Sequence, residues 1–95
     1  MQYPSQTSRI ELSKSAYKTN VDFIHKLLPK NTLFASVVKG NAYGHGIEQF
    51  CPMTQEFGIQ HYCVFSAEEA YRVRKILQTD AYILIMGHIA DQEVE

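Results

Sequence analysis

The chain is poor in the residues that commit a small protein to disulfide, metal, nucleic-acid or membrane chemistry. It has two cysteines, Cys51 and Cys63, twelve positions apart, with no second pair to complete a zinc site. Reduced thiols are the simplest expectation, Cys63 packed in a strand and Cys51 near a helix, and a cytoplasmic location follows as the default. Lys and Arg number 9 against 10 Asp and Glu, and no basic run occurs. A binder of nucleic acid or of a membrane surface needs a concentrated basic face, so both classes are excluded as expectations. No apolar stretch approaches a membrane span, and the mostly polar residues 1–15 do not read as a secretory signal. The histidines are few and scattered. His25 falls on a predicted helix, His61 before a strand and His88 after Gly87, none at metal-ligand spacing.

What is present is a pattern of apolar residues. At 45% hydrophobic over 95 residues, the chain suits one small domain with a modest core. Arg9 to Leu12 alternates as a short strand. Ser13 is placed to cap a helix in which Tyr17, Val21, Ile24 and Leu28 form one apolar face, and Pro29 ends it. Leu33 to Val38 is a nearly continuous apolar run, which predicts a strand covered on both faces. A loop containing Gly40, Gly44 and Gly46 follows, then a helix from about Ile47 to Phe57 that stops at Gly58. Tyr62 to Phe65 reads as a strand. Ser66 and Glu69 have the spacing of a capping box, in which Ser66 caps the Glu69 N–H and the Glu69 carboxylate reaches back. That helix places Ala70, Val73 and Leu77 on one side, with its acids first and Arg72, Arg74 and Lys75 later, as the helix dipole favours. Tyr82 to Met86 forms a last apolar strand closed by Gly87. Strand–helix alternation of this kind is the α/β pattern of a parallel sheet. Three parallel strands leave open edges, and a closed (β/α)8 barrel needs about 250 residues, so the chain reads as a fragment.

The chemistry concentrates at Lys39. A lysine ending an apolar parallel strand lies at the carboxyl end of the sheet, where α/β proteins bind ligands. Partial burial there would favour the neutral amine that a nucleophile or Schiff-base former requires. The glycines allow close backbone approach, and Tyr43 could donate its hydroxyl to a phosphate or a cofactor oxygen. The glycine order G-x3-G-x-G matches neither a dinucleotide fingerprint nor a P-loop. Position alone leaves two readings open, an amine site or an ordinary lysine snorkelling from a strand end.

The longer string Val37-Val38-Lys39-Gly40-Asn41-Ala42-Tyr43-Gly44-His45-Gly46 closely resembles the cofactor-lysine motif of the alanine racemases, with Gly40 where the family usually has alanine. Arg9 to Leu12 looks like that family's opening strand. Gly58, Ser66 to Arg74 and Ile83 to Gly87 resemble its next βα unit and strand, so the likeness spans nearly the whole chain. The resemblance implies an α/β fold, here the N-terminal portion of a (β/α)8 barrel. Residues 13–95 would be its first βα units, and residues 1–12 a strand packed in the family with a C-terminal β-domain. It further implies pyridoxal 5'-phosphate joined to Lys39 as a Schiff base, and racemisation of L- and D-alanine that supplies D-alanine for peptidoglycan. Lys39 would be the base on the D-amino-acid face, and Tyr43 would help hold the cofactor phosphate. Met86 would pack nearby, and His45 would shape the loop.

By the same resemblance the enzyme is a homodimer whose second base, a tyrosine of the partner subunit's C-terminal domain, lies beyond Glu95. Tyr3, Tyr17, Tyr62, Tyr71 and Tyr82 have no claim to that role, and the fragment alone is expected to be inactive. Gly40 is expected to loosen the backbone beside Lys39 at a cost under about 1 kcal/mol. A racemase for serine or lysine, or a non-catalytic pyridoxal-phosphate-binding protein, remains the alternative.

Overall fold

The computed structural model describes residues 7–77 and 80–94. Helix α1 (Lys14–Leu27) begins where the Ser13 hydroxyl accepts the Ala16 N–H at 3.2 Å, and it ends at Leu28, before Pro29. Strand β1 is Ala35–Val37, α2 is Ile47–Glu56, β2 is His61–Val64, α3 is Ala67–Ile76 and β3 is Tyr82–Ile85. A 3-10 turn, Asp91–Glu93, follows. The three strands are parallel in the order β1-β2-β3, with Ser36 beside Tyr62 and Tyr62 beside Ile83. The α/β alternation expected from the sequence is therefore present, with both connections crossing over through helices.

All three helices pack on one face of the sheet. Val21 of α1, Ile47 and Cys51 of α2 and Val73 of α3 meet Val38, Tyr62 and Val64 in a single core. Burying side chains of this size is worth about 1.5–3 kcal/mol each. Thr54, a polar side chain buried beside that core, is satisfied. Its hydroxyl lies 2.7 Å from the Cys51 carbonyl and 2.7 Å from the Tyr62 hydroxyl, which is 3.1 Å from the Ile59 carbonyl. Two hydroxyl hydrogens serve these three contacts. Thr54 donates to Cys51, and Tyr62 shares its hydrogen between Thr54 and Ile59.

Two expectations change. The apolar run 33–38 is not covered on both faces among the described residues. Phe34, Ser36 and Val38 turn toward the helices, whereas Leu33 is 73% exposed and Val37 38%. Tyr82 and Leu84 lie exposed on the same open face. In a closed barrel that face is the interior, covered only by the other strands, and three strands do not curl far enough to close it. Arg9 to Leu12 is not a strand here: residues 8–13 carry no regular structure. No described strand lies beside them, and unpaired backbone groups cannot form a ladder. The earlier half of the 1–12 segment, residues 1–6, lies outside the described residues. Among the described residues no helix is long and apolar enough to cross a membrane.

Candidate functional site

Strand β1 keeps its pairing to the end: the fully buried Val38 donates its N–H to the Cys63 carbonyl at 2.9 Å. Lys39 comes next, at the carboxyl end of the sheet as the sequence placed it. It is exposed, so the described residues do not supply the partial burial expected around its amine.

The segment read as a loop is in fact a left-handed helical turn. Gly40 (φ 61, ψ 41), Asn41 (φ 56, ψ 47), Ala42 (φ 57, ψ 47) and Tyr43 (φ 54) succeed one another in the left-handed region. Gly44 closes the turn by donating to the Gly40 carbonyl at 3.0 Å. Such a run of L-residues costs roughly 1–2 kcal/mol at each non-glycine position. The sign of the Gly40 expectation therefore reverses, because glycine relieves strain here instead of loosening an otherwise ordinary backbone.

Several contacts offset that strain. Ala42 is buried in the core, and the His45 ring Nδ1–H donates to the Ala42 carbonyl at 2.9 Å, the loop-shaping part expected of it. The Asn41 side-chain oxygen accepts the Ile47 N–H at 3.0 Å, capping α2 from six residues upstream because Gly46, at the cap position, has no side chain. Arg72 of α3 donates to the same oxygen at 3.0 Å and to both Glu48 oxygens at 2.8 and 3.0 Å. The Arg72 guanidinium holds the Glu48 carboxyl below its usual range.

Glu69 completes the frame. Its N–H is capped by Ser66 at 3.2 Å, as the sequence predicts, but its carboxylate does not return to Ser66. One oxygen accepts the Phe65 N–H at 2.9 Å and the other accepts the Asn41 N–H at 3.2 Å. The capping-box account of Glu69 is thus half right. The reason lies in the third dimension, where the left-handed turn brings a second free amide within reach of a side chain 28 positions away.

Tyr43, 61% exposed, stands at the end of the turn. With His45 it lines an open groove of about 480 Å³ whose other walls include Leu12, Tyr17 and Phe50. Burial pushes the Tyr17 phenol up to about 12, with Tyr62 adding to the effect and a hydrogen bond to Ser36 opposing it. Burial also raises Tyr62. Both phenols are therefore held in the protonated form near neutral pH. Met86, just past β3, is 45% exposed. Both cysteines are free, with Cys51 buried inside α2 and Cys63 half-buried in β2.

The structure thus gathers Lys39 and Tyr43 on one turn and surrounds that turn with Asn41, Glu48, Glu69 and Arg72. Sequence reasoning placed Asn41 in the motif, Glu69 in a capping box and Arg72 among the later bases of its helix, and it did not single out Glu48.

Residues 12–95 match the family model described as alanine racemase, N-terminal domain. Among curated proteins, an alanine racemase of Leptospira interrogans is 40% identical over 87 residues, covering 92% of this chain and 22% of the relative. An amino-acid racemase of Enterococcus faecalis is 39% identical over 85 residues, covering 90% of this chain and 12% of the relative. Among solved structures, alanine racemase from Oenococcus oeni aligns with a TM-score of 0.69 and 35% identity, over 81% of this chain and 22% of that one. The chain spans about a fifth of the length of the alanine racemases it matches.

Proposed function

The chain belongs to the alanine racemase family, through the N-terminal barrel domain, and from that premise we propose that it carries the cofactor lysine of a pyridoxal-phosphate-dependent amino-acid racemase. The observation that carries the reading is Lys39 itself, an exposed primary amine at the carboxyl end of β1 and at the start of the left-handed turn. The donor set fits the group: an amine for the aldehyde carbon and, four residues on, the exposed Tyr43 phenol for the phosphate. When bound, pyridoxal phosphate acts as an electron sink that acidifies the substrate α-hydrogen.

The work of this chain's residues follows from their chemistry. The Lys39 amine is the point of covalent attachment. As a free amine, its Nζ would take or return the proton at the substrate α-carbon on the D-amino-acid face. Tyr43 would help hold the group by donating its hydroxyl to a phosphate oxygen. The opposite proton transfer needs a second base, which we assign to a tyrosine of a partner subunit's C-terminal β-domain in a homodimer. Residues 1–12 are assigned to pairing with that type of domain. On this reading residues 1–95 alone do not racemise.

L-alanine and D-alanine are the proposed substrates, with D-alanine supplied to peptidoglycan in the cytoplasm. A racemase acting on another amino acid such as serine or lysine is the second reading, favoured by the 39% identical relative described only as an amino-acid racemase. Borohydride reduction of the cofactor-loaded holoenzyme followed by peptide mapping tests the assignment. The pyridoxyl group is expected on Lys39, and label on a different lysine would refute it. Lys39→Ala should abolish D-alanine formation in a coupled assay, and turnover with L-serine or L-lysine separates the two substrate readings.

A further inference from the structure

A left-handed run through Asn41, Ala42 and Tyr43 does not persist on local preference. It is held from outside, chiefly by α3. The Glu69 carboxylate receives the Phe65 N–H just beyond β2 and the Asn41 N–H two residues beyond Lys39, so one side chain ties together the carboxyl ends of two neighbouring parallel strands. Arg72, one turn further along the helix, holds the other side of Asn41 through its side-chain oxygen and is itself held by Glu48. Asn41 is therefore gripped at its backbone and at its side chain by residues of one rigid helix.

We propose that Glu69, backed by Arg72, is a positioning residue that holds the left-handed turn and thereby aims Lys39 and Tyr43, without itself touching cofactor or substrate. The proposal rests on the reading of Lys39 as the cofactor lysine. Its physical basis is the pair of charge-assisted hydrogen bonds from the Phe65 and Asn41 amides, which have no other strand or helix partner among the described residues. Partial burial raises the Glu69 carboxyl, but the Phe65, Asn41 and Gly40 amides and then Arg72 outweigh it and pull the group below its usual range. It is thus charged at neutral pH, the form that accepts two N–H donors at once.

The test compares Glu69→Ala and Glu69→Gln with wild type in the cofactor-loaded holoenzyme, with Lys18→Ala as a surface control. Glutamine keeps one carbonyl oxygen and places an NH2 group against the second amide, so it should restore part of what alanine loses. In Glu69→Ala the Asn41 amide should exchange about tenfold faster with solvent. The value of kcat should fall about tenfold to a hundredfold, as misaimed groups do, while KM for the amino acid changes little and the melting temperature falls by only several degrees, leaving the enzyme folded at the assay temperature. Glu69→Gln should fall between, and Lys18→Ala should match wild type.

Unchanged Asn41 exchange, or unchanged kcat, in Glu69→Ala overturns the proposal. So does a loss of activity that only tracks a loss of folded protein and that glutamine does not relieve, because that is a purely structural role. If neither variant folds, wild type decides: an Asn41 amide exchanging at the unprotected rate near neutral pH overturns the proposal, and a protected one that opens on acidification before global unfolding supports it. Failure of the Lys39 reading looks different, since the wild-type pyridoxyl label would then sit on another lysine while Asn41 exchange still accelerates in Glu69→Ala.

Discussion

Gly40 stands at φ 61 and ψ 41, where a residue without Cβ is at ease and an L side chain is not. Alanine at this position brings two opposed effects. The folded chain gains about 1–2 kcal/mol of contact between Cβ and the following carbonyl. The unfolded chain loses glycine's extra freedom, which offsets about 0.4–1 kcal/mol of that. A Cβ built on Gly40 meets nothing within 4 Å, so no clash is added. The balance is a net destabilisation of about 0.5–1 kcal/mol.

With a slope of about 1–3 kcal/mol per molar urea, the unfolding midpoint of Gly40→Ala should fall by roughly 0.2–1 M at an unchanged slope. Urea unfolding followed by circular dichroism reads this directly. A midpoint at or above that of the parent chain would refute the reasoning, because it would mean that residue 40 does not occupy the left-handed region in solution. The size of the effect also accounts for the alanine found at this position in the motif the sequence resembles. The cost is small enough for the Glu69 and Asn41 contacts to absorb.

Gly87→Ala should cost more, about 1–3 kcal/mol by the same measurement, because a Cβ there runs into the Phe65 carbonyl and ring instead of open space. Tyr62→Phe removes the hydrogen shared between Thr54 and Ile59 and should lower stability by about 1–2 kcal/mol, with the fold retained. A thiol reagent at mildly alkaline pH should modify Cys63 quickly and Cys51 only on unfolding, since Cys51 is buried and its thiol is pushed up to about 11; two equally fast thiols would contradict the packing of α2. The Glu69 carboxyl is held low in the folded chain, so its stabilising contribution is present above the ordinary glutamate range. It is lost as pH falls below that range and through the lowered value, and Asn41 amide protection measured across that window should drop first.

The helices and strands were legible because their signals are local. The Ser13 cap, the Tyr17–Val21 face, the stop at Gly58 and the Ser66 cap each depend on residues within a turn of one another. The motif around Lys39 likewise points to the family by its residues alone, and the carboxyl end of β1 follows from strand order. Other features were set only once distant parts of the chain met. The one-sided cover of the sheet depends on where the helices pack, and an apolar run reads alike whether one face or both are sealed. The left-handed turn has no signature in Ala42-Tyr43, and its contacts with Glu69 and Arg72 come from across the sheet end. Glu69 satisfied a local rule so well that its second partner was hidden, and that partner's N–H was free only because the turn after Lys39 winds the unusual way.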